Sequence, residues 1–339
     1  MRILPFFLVI LCLSFPTLAQ TGDWAGEIVD VDGIPHVRNP AEPMSSDLDV
    51  GARLLWRAGG DEASDVLFGT VVEILLDDDG NTYMLDQQLS EIKLYDAEGR
   101  FLRTLGRSGE GPGEFNRPGG MFLIPNDGVG VFQMMPSRVV ALNREGEPQP
   151  PPSIPGDSGM RFFEGIEPAG NAFIVAQSTA GFDGTKATVH KELISVSLEG
   201  EKLATMWTQD QEQDLANLTV GDDPDNPTDI WEARWGGGVY LNTTYDEFVI
   251  EVMAVDGTVT RVIERVYETV ERTKEDIEKI KEAYDRLPAG MPNMNFKIAP
   301  MERDIQQMSV RPRGELWVVS SQSARSAEEG AIGSFEVFD

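Results

Sequence analysis

Apolar residues along this chain fall in short runs of four to six instead of recurring at helical spacing. Val71-Val-Glu-Ile-Leu-Leu76, Thr82-Tyr-Met-Leu85, Glu91-Ile-Lys-Leu-Tyr95 and Phe101-Leu-Arg-Thr-Leu105 follow one another, with turns at Asp77-Asp-Asp-Gly80 and through Gly99. β-Branched and aromatic residues fill the runs and Asp-Gly or Glu-Gly pairs break them, which predicts strands joined by tight turns. The unit recurs. A strand opened by Gly and carrying an aromatic leads to a second turn that ends in Gly, from Gly80 to Gly99, Gly128 to Gly146, Gly170 to Gly200 and Gly238 to Gly257. The spacings are 19, 18, 30 and 19 residues, and a fifth unit starts at Gly314-Glu-Leu-Trp317. Repetition of such a unit predicts an all-β propeller built of four-stranded antiparallel blades.

Several segments leave the pattern. Ile28 to Val37 reads as a short hairpin before a Pro-rich linker at Pro40 and Pro43. Ser178 to His190 is a polar insertion, and Thr208 to Asp229 a longer acidic one. Residues 273–287 predict the one inserted helix, with Thr273 and Asp276 capping it and Ile277, Ile280, Tyr284 and Leu287 on one face. Glu275 with Lys279 and Glu282 with Arg286 support it at i, i+4. Its single apolar face suits a cover on the propeller better than a partner-binding helix. The last strand, in Gly333 to Asp339, matches those that precede a closing turn, and no such turn follows. A six-bladed ring would take roughly 40 to 50 further residues, so the expectation is an incomplete last blade with an open sheet edge. The other arrangement is a smaller ring closed by the N-terminal hairpin.

Charge narrows the function. The 339 residues carry 28 Lys and Arg against 57 Asp and Glu, a formal charge of −29. Such a chain has little to offer nucleic-acid phosphates or an anionic membrane surface, and the charge serves solubility. Residues 1–19 carry the pattern of a signal peptide: Arg2, an apolar run from Ile3 to Leu13, then small residues at Thr17 and Ala19. The run is short for a membrane span. Cleavage after Ala19 would leave residues 20–339 as one exported domain, periplasmic or extracellular and without membrane insertion. Cys12 is the only cysteine, so that domain would hold no disulfide.

The stretch Gly106-Arg-Ser-Gly-Glu-Gly-Pro-Gly-Glu-Phe-Asn-Arg-Pro118 follows Asp79-Gly-Asn-Thr-Tyr83 and Asp96-Ala-Glu-Gly-Arg100. With Asp32-Gly33, Val37-Arg-Asn-Pro40 and Gly314-Glu-Leu-Trp-Val318, these segments resemble the NHL-type six-bladed β-propellers of exported bacterial proteins. The resemblance covers most of the chain beyond residue 19 and is tightest from Phe68 to Pro118. It implies a six-bladed ring and says little of function, because a fold does not fix one.

Motifs that imitate chemistry fail on their surroundings. The Gly106–Gly113 run lacks both the helix of a dinucleotide fingerprint and the Gly-Lys-Ser/Thr of a P-loop, and reads as an inter-blade linker anchored by Phe115. Gly156-Asp-Ser-Gly159 has only His36 and His190 as conceivable bases and reads as a surface turn. Asp77 to Asn81 is out of register for a calcium loop. Asp222, Asp223, Asp225 and Asp229 share one short loop and form the calcium candidate, against the commoner reading of a solvated acidic loop. No other cofactor is implied. Trp231, Arg234 and Trp235, where an insertion re-enters a blade, and Arg107 and Arg117, which flank the Gly-rich linker, are the ligand-binding candidates. The competing reading packs the Trp residues between blades. Together these point to a binding module for a protein or carbohydrate ligand, with no catalytic residues identified. The rival is an extracytoplasmic propeller enzyme, a hydrolase or lyase on a polymer, and a set of carboxylates converging on the central channel would favour it.

Overall fold

Each turn-bounded unit folds into one small sheet. The structure is a computed structural model that describes residues 24–44, 53–59, 66–125, 128–156, 160–182, 186–214, 219–221, 224, 230–234, 236–285, 295–311, 314–327 and 333–338. A hairpin, β1 (Glu27–Val31) and β2 (Ile34–Asn39), precedes the blades. Blade one is β3 (Val71–Leu76), β4 (Thr82–Asp86), β5 (Glu91–Tyr95) and β6 (Phe101–Leu105). Blade two is β7 (Pro118–Ile124), β8 (Gly128–Gln133), β9 (Arg138–Leu142) and β10 (Pro148–Gln149). Blade three is β11 (Met160–Ala169), β12 (Ala172–Phe182), β13 (Lys186–Ser197) and β14 (Lys202–Asp214). A short strand β15 (Thr219–Gly221) precedes blade four, which is β16 (Ile230–Ala233), β17 (Val239–Asn242), β18 (Val249–Met253) and β19 (Val259–Arg265). Helix α1 (Lys274–Asp285) and β20 (Asn295–Lys297), which pairs parallel with β15, lead to blade five. That blade has three described strands, β21 (Ile305–Val310), β22 (Leu316–Ser320) and β23 (Glu336–Phe338), with α2 (Ser321–Ser326) inserted.

The fold is therefore an all-β propeller, and among the described residues its blades number five where six were expected. The first strands β3, β7, β11, β16 and β21 pack one on the next around the centre. Neighbouring blades enclose four apolar clusters, one per seam. No fifth cluster joins blade five to blade one among the described residues, and Ile74 and Leu76 on the outward face of blade one are 53% and 62% exposed. The N-terminal hairpin forms as expected but does not close a ring. It extends blade four outward through parallel pairing of β2 with β19. Side chains explain the choice of edge: Glu264 on β19 accepts from Arg38 Nε at 2.9 Å and lies 2.6 Å from His36 Nδ1.

The insertions also resolve. Much of both becomes strand, because β12, β13 and β14 simply run on as a long antiparallel arm. The helix begins where Thr273 and Asp276 cap it reciprocally, and Glu275 pairs with Lys279 at 2.8 Å; Arg286 and Leu287 lie outside the described residues. Asp77 folds back on the N–H groups of Asp79 and Asn81, as a strand-connecting turn requires.

Candidate functional site

An innermost propeller strand pairs on one side only, so its other edge carries free N–H groups that must find acceptors. Three glutamates supply them. Glu73 on β3 accepts from Met121 N of blade two at 2.5 Å, Glu167 on β11 from Ala233 N of blade four at 2.8 Å, and Glu232 on β16 from Val310 N of blade five at 3.2 Å. Each carboxyl group staples its blade to the next. Burial pushes all three above the ordinary carboxylate range. For Glu167 the charge of Glu232 adds to the burial, while for Glu232 the Val310 N–H and the Arg311 guanidinium pull the other way. Two such carboxyl groups beside one another hold a proton more easily than two charges.

The seam between blades two and three is built differently. β7 offers Gly119 and Gly120 at the start of its run, and the seam is filled by Phe122, Phe132, Phe163 and Phe173. Phe122 meets Phe173 edge-on at 5.5 Å and Phe132 meets Phe163 at 6.3 Å. The rings need glycines opposite them: a Cβ on Gly130 would lie 2.2 Å from Phe122 Cζ, and one on Gly120 2.5 Å from Phe132 Cζ.

Both ends of this seam open into clefts. One, of about 410 Å³, is rimmed by Pro150 to Pro152 with Ile124 and Leu198. The other, of about 610 Å³, lies between the β8–β9 loop at Met134 to Ser137, the connector at Ile154 to Gly156, and the start of β11. Two buried glutamines fix its walls. Gln133 Nε2 donates to Pro136 O at 2.9 Å, and Gln177 Nε2 to Pro155 O at 3.1 Å. Met134, Met135 and Met160 are nonetheless exposed at 48%, 66% and 59%. A cleft of this volume, lined chiefly by Met, Pro and Ile side chains and walled by connectors that buried glutamines hold, has the size of a small-molecule site.

Of the residues singled out from the sequence, those described do not assemble around either feature. Arg107 is exposed and pairs with Glu114 inside its own connector, with Nε to Oε1 at 2.7 Å. Arg117 is exposed at the end of that connector, in the left-handed region at φ 45°. Trp231 packs into the seam between blades three and four, over Gly165. Arg234 sits at the β16–β17 turn with its guanidinium 5.5 Å from the Tyr240 ring centre. Phe115, fully buried in the first seam, anchors the Gly-rich linker. Trp235, Asp222, Asp223, Asp225 and Asp229 lie outside the described residues, as does Ser158. The three axial glutamates escaped sequence reading, although each is an acid set inside an apolar run: Val72-Glu-Ile74, Ile166-Glu-Pro168 and Trp231-Glu-Ala233.

No protein-family model matches the chain, and no curated protein matches it. Among solved structures it is similar to a Bacteroides fragilis protein described as exported, at 12% identity over 77% of this chain and 69% of that one, with a TM-score of 0.42. A virginiamycin B lyase from Staphylococcus aureus is 11% identical over 78% and 68% of the two chains, with a TM-score of 0.35. Hsv2 of Kluyveromyces lactis is 15% identical over 73% and 58%, at 0.34. The propeller assignment rests on the blade pairing itself.

Proposed function

We propose that this chain is an exported ligand-binding propeller that recognises a small molecule, or a side chain of a larger ligand, in the cleft between blades two and three. The observation that carries this reading is the exposure of Met134, Met135 and Met160 in a cleft whose walls buried glutamines pin. Soluble proteins seldom leave flexible apolar side chains clustered in a preformed hollow without an occupant. Export rests on the signal-like residues 1–19, and a periplasmic or extracellular place follows from it. The NHL-type resemblance belongs to the same reading, as kinship in blade design. Thermal unfolding against a panel of sugars, amphiphiles and millimolar calcium tests it. A dose-dependent rise in melting temperature that is lost in Met160→Glu supports the cleft, and no response to any class refutes it. A rise with calcium that survives Met160→Glu but is lost in Asp223→Asn/Asp225→Asn assigns the ion to the acidic segment 222–229.

A second reading has its own support. Glu167 and Glu232, with raised and mutually dependent carboxyl groups at the axis, have the character of a general acid and base. Turnover of a glycan, lactone or ester by the purified chain, abolished in Glu167→Gln, would establish an enzyme in place of a binding module.

A further inference from the structure

Within that reading, on which this inference rests, we infer that the cleft between blades two and three takes a small amphipathic anion, a carboxylate with an aliphatic or aryl body. The charge lining the cleft decides the class. The chain carries 57 acidic residues, yet none is among the described residues that line this hollow, where Arg161 is the only charged group. A guanidinium facing an apolar hollow selects an anion, and its planar fork suits a carboxylate.

Arg161 is held in place for this. Its Nη1 donates to Ile154 O at 3.0 Å, and its guanidinium carbon lies 4.7 Å from the centre of the Phe163 ring. Gly156 leaves room for it, since a Cβ there would stand 2.5 Å from Nη1. Among the described residues no other N–H of this guanidinium has an acceptor. The side chain is positioned with donors to spare, so a ligand does not have to order it first. Ser137 Oγ is buried behind the same lining and has no hydrogen-bond partner among the described residues. The three methionines then receive the body. Their unbranched thioethers adapt to aliphatic or aryl shapes equally, so they set the ligand's polarity without setting its shape.

Titration calorimetry with decanoate, 4-phenylbutyrate, 1-decanol and decyltrimethylammonium, all below their micelle concentrations, separates the parts of this claim. The expected result is that the two carboxylates bind at least tenfold more tightly than decanol and that the ammonium ion does not bind. Arg161→Gln should weaken the carboxylates at least tenfold and leave decanol unchanged. Met160→Glu, at an exposed position, should abolish all binding while the melting temperature holds. If decanol binds as tightly as decanoate and Arg161→Gln alters neither, the anion assignment is overturned while the cleft remains a binding site. If none of the probes binds the wild-type chain, the inference and the reading beneath it both fall. Gly156→Ala gives a check independent of removing the charge: displacing Arg161 should lower carboxylate affinity and spare decanol.

Discussion

Two seams of this propeller solve the same problem with opposite chemistry. Between blades three and four, aliphatic side chains with Trp207 and Trp231 fill the interface, and Glu167 staples the inner strands. Between blades two and three, β7 contributes Gly119 and Gly120 and no acid; four phenylalanines fill the space, and the glycines make room for their rings. A stapled seam satisfies its inner edge at the cost of a buried titratable group. An aromatic seam carries no such group, and both of the clefts described above lie at its two ends. The difference teaches where recognition has room to develop, namely where rigid rings meet and no polar staple draws the blades together.

The strongest test of this contrast removes a ring. Phe122 is 1% exposed, and Phe122→Ala should cost about 3–5 kcal/mol, seen as a fall in the urea midpoint. An effect below ~1 kcal/mol would show that the seam does not depend on its rings. Next comes the opposing glycine. Gly130→Ala sets a methyl against Phe122 and should destabilise by about 1–3 kcal/mol. In the double variant Phe122→Leu/Gly130→Ala the cost should shrink, a coupling that a double-mutant cycle reads directly. Additive losses would mean that the glycine serves the backbone alone.

The two seams also differ in how legible they were. Strand runs, Gly-closed turns, the N-terminal hairpin and the capped helix were all readable, because each depends on local periodicity and turn chemistry. Phe115 was readable as an anchor for the same reason. Blade number was not, since the outward extension of blade four by β2 is a long-range pairing set by Glu264, Arg38 and His36. Nor was the cleft. Met135 and Met160 look like ordinary apolar residues in sequence, and only the folding of two connectors onto buried Gln133 and Gln177 brings them together. The Arg and Trp candidates rested on residue type without placement; of those described, Arg107 and Arg117 are exposed on a connector, Trp231 packs in a seam and Arg234 sits at a turn. The axial glutamates show the reverse failure: a visible oddity, an acid inside an apolar strand, whose meaning needed the neighbouring blade's N–H.

At the stapled seam, Glu167→Ala leaves the Ala233 N–H without its acceptor and should cost about 1–3 kcal/mol. Glu167→Gln keeps an oxygen in place and should cost much less at about pH 4, where the native carboxyl group is protonated in both the folded and the unfolded chain. Equal losses in both variants would argue that the carboxyl group contributes something beyond accepting this bond.

The remaining contrast is the dependence on pH, and it separates the seams most cleanly. Glu73, Glu167 and Glu232 all have carboxyl groups raised by burial, and each serves a stapled seam. Burial likewise pushes Asp304, beside the seam of blades four and five, up to about 6, with the Asp246 charge adding to it and a hydrogen bond with Thr269 opposing it. A carboxyl group raised in the fold binds its proton more tightly there than in the unfolded chain, so it favours the fold more as pH falls through its folded value. For Asp304 that gain accrues between about pH 6 and about pH 4, where the unfolded aspartate at last takes up its own proton. Asp276 works in the opposite sense. Its hydrogen bonds with Thr273 and Arg325 hold it far below the usual range, and that support is lost progressively as pH falls below about 4. The readout is therefore a difference between wild type and variant over pH 4 to 8. Asp304→Asn and Glu167→Gln should each flatten the wild-type profile by raising stability at the alkaline end. Phe122→Leu, in the aromatic seam, should shift the whole profile without changing its slope. A change of slope in Phe122→Leu as large as that in Glu167→Gln would mean that the seams are not electrostatically distinct.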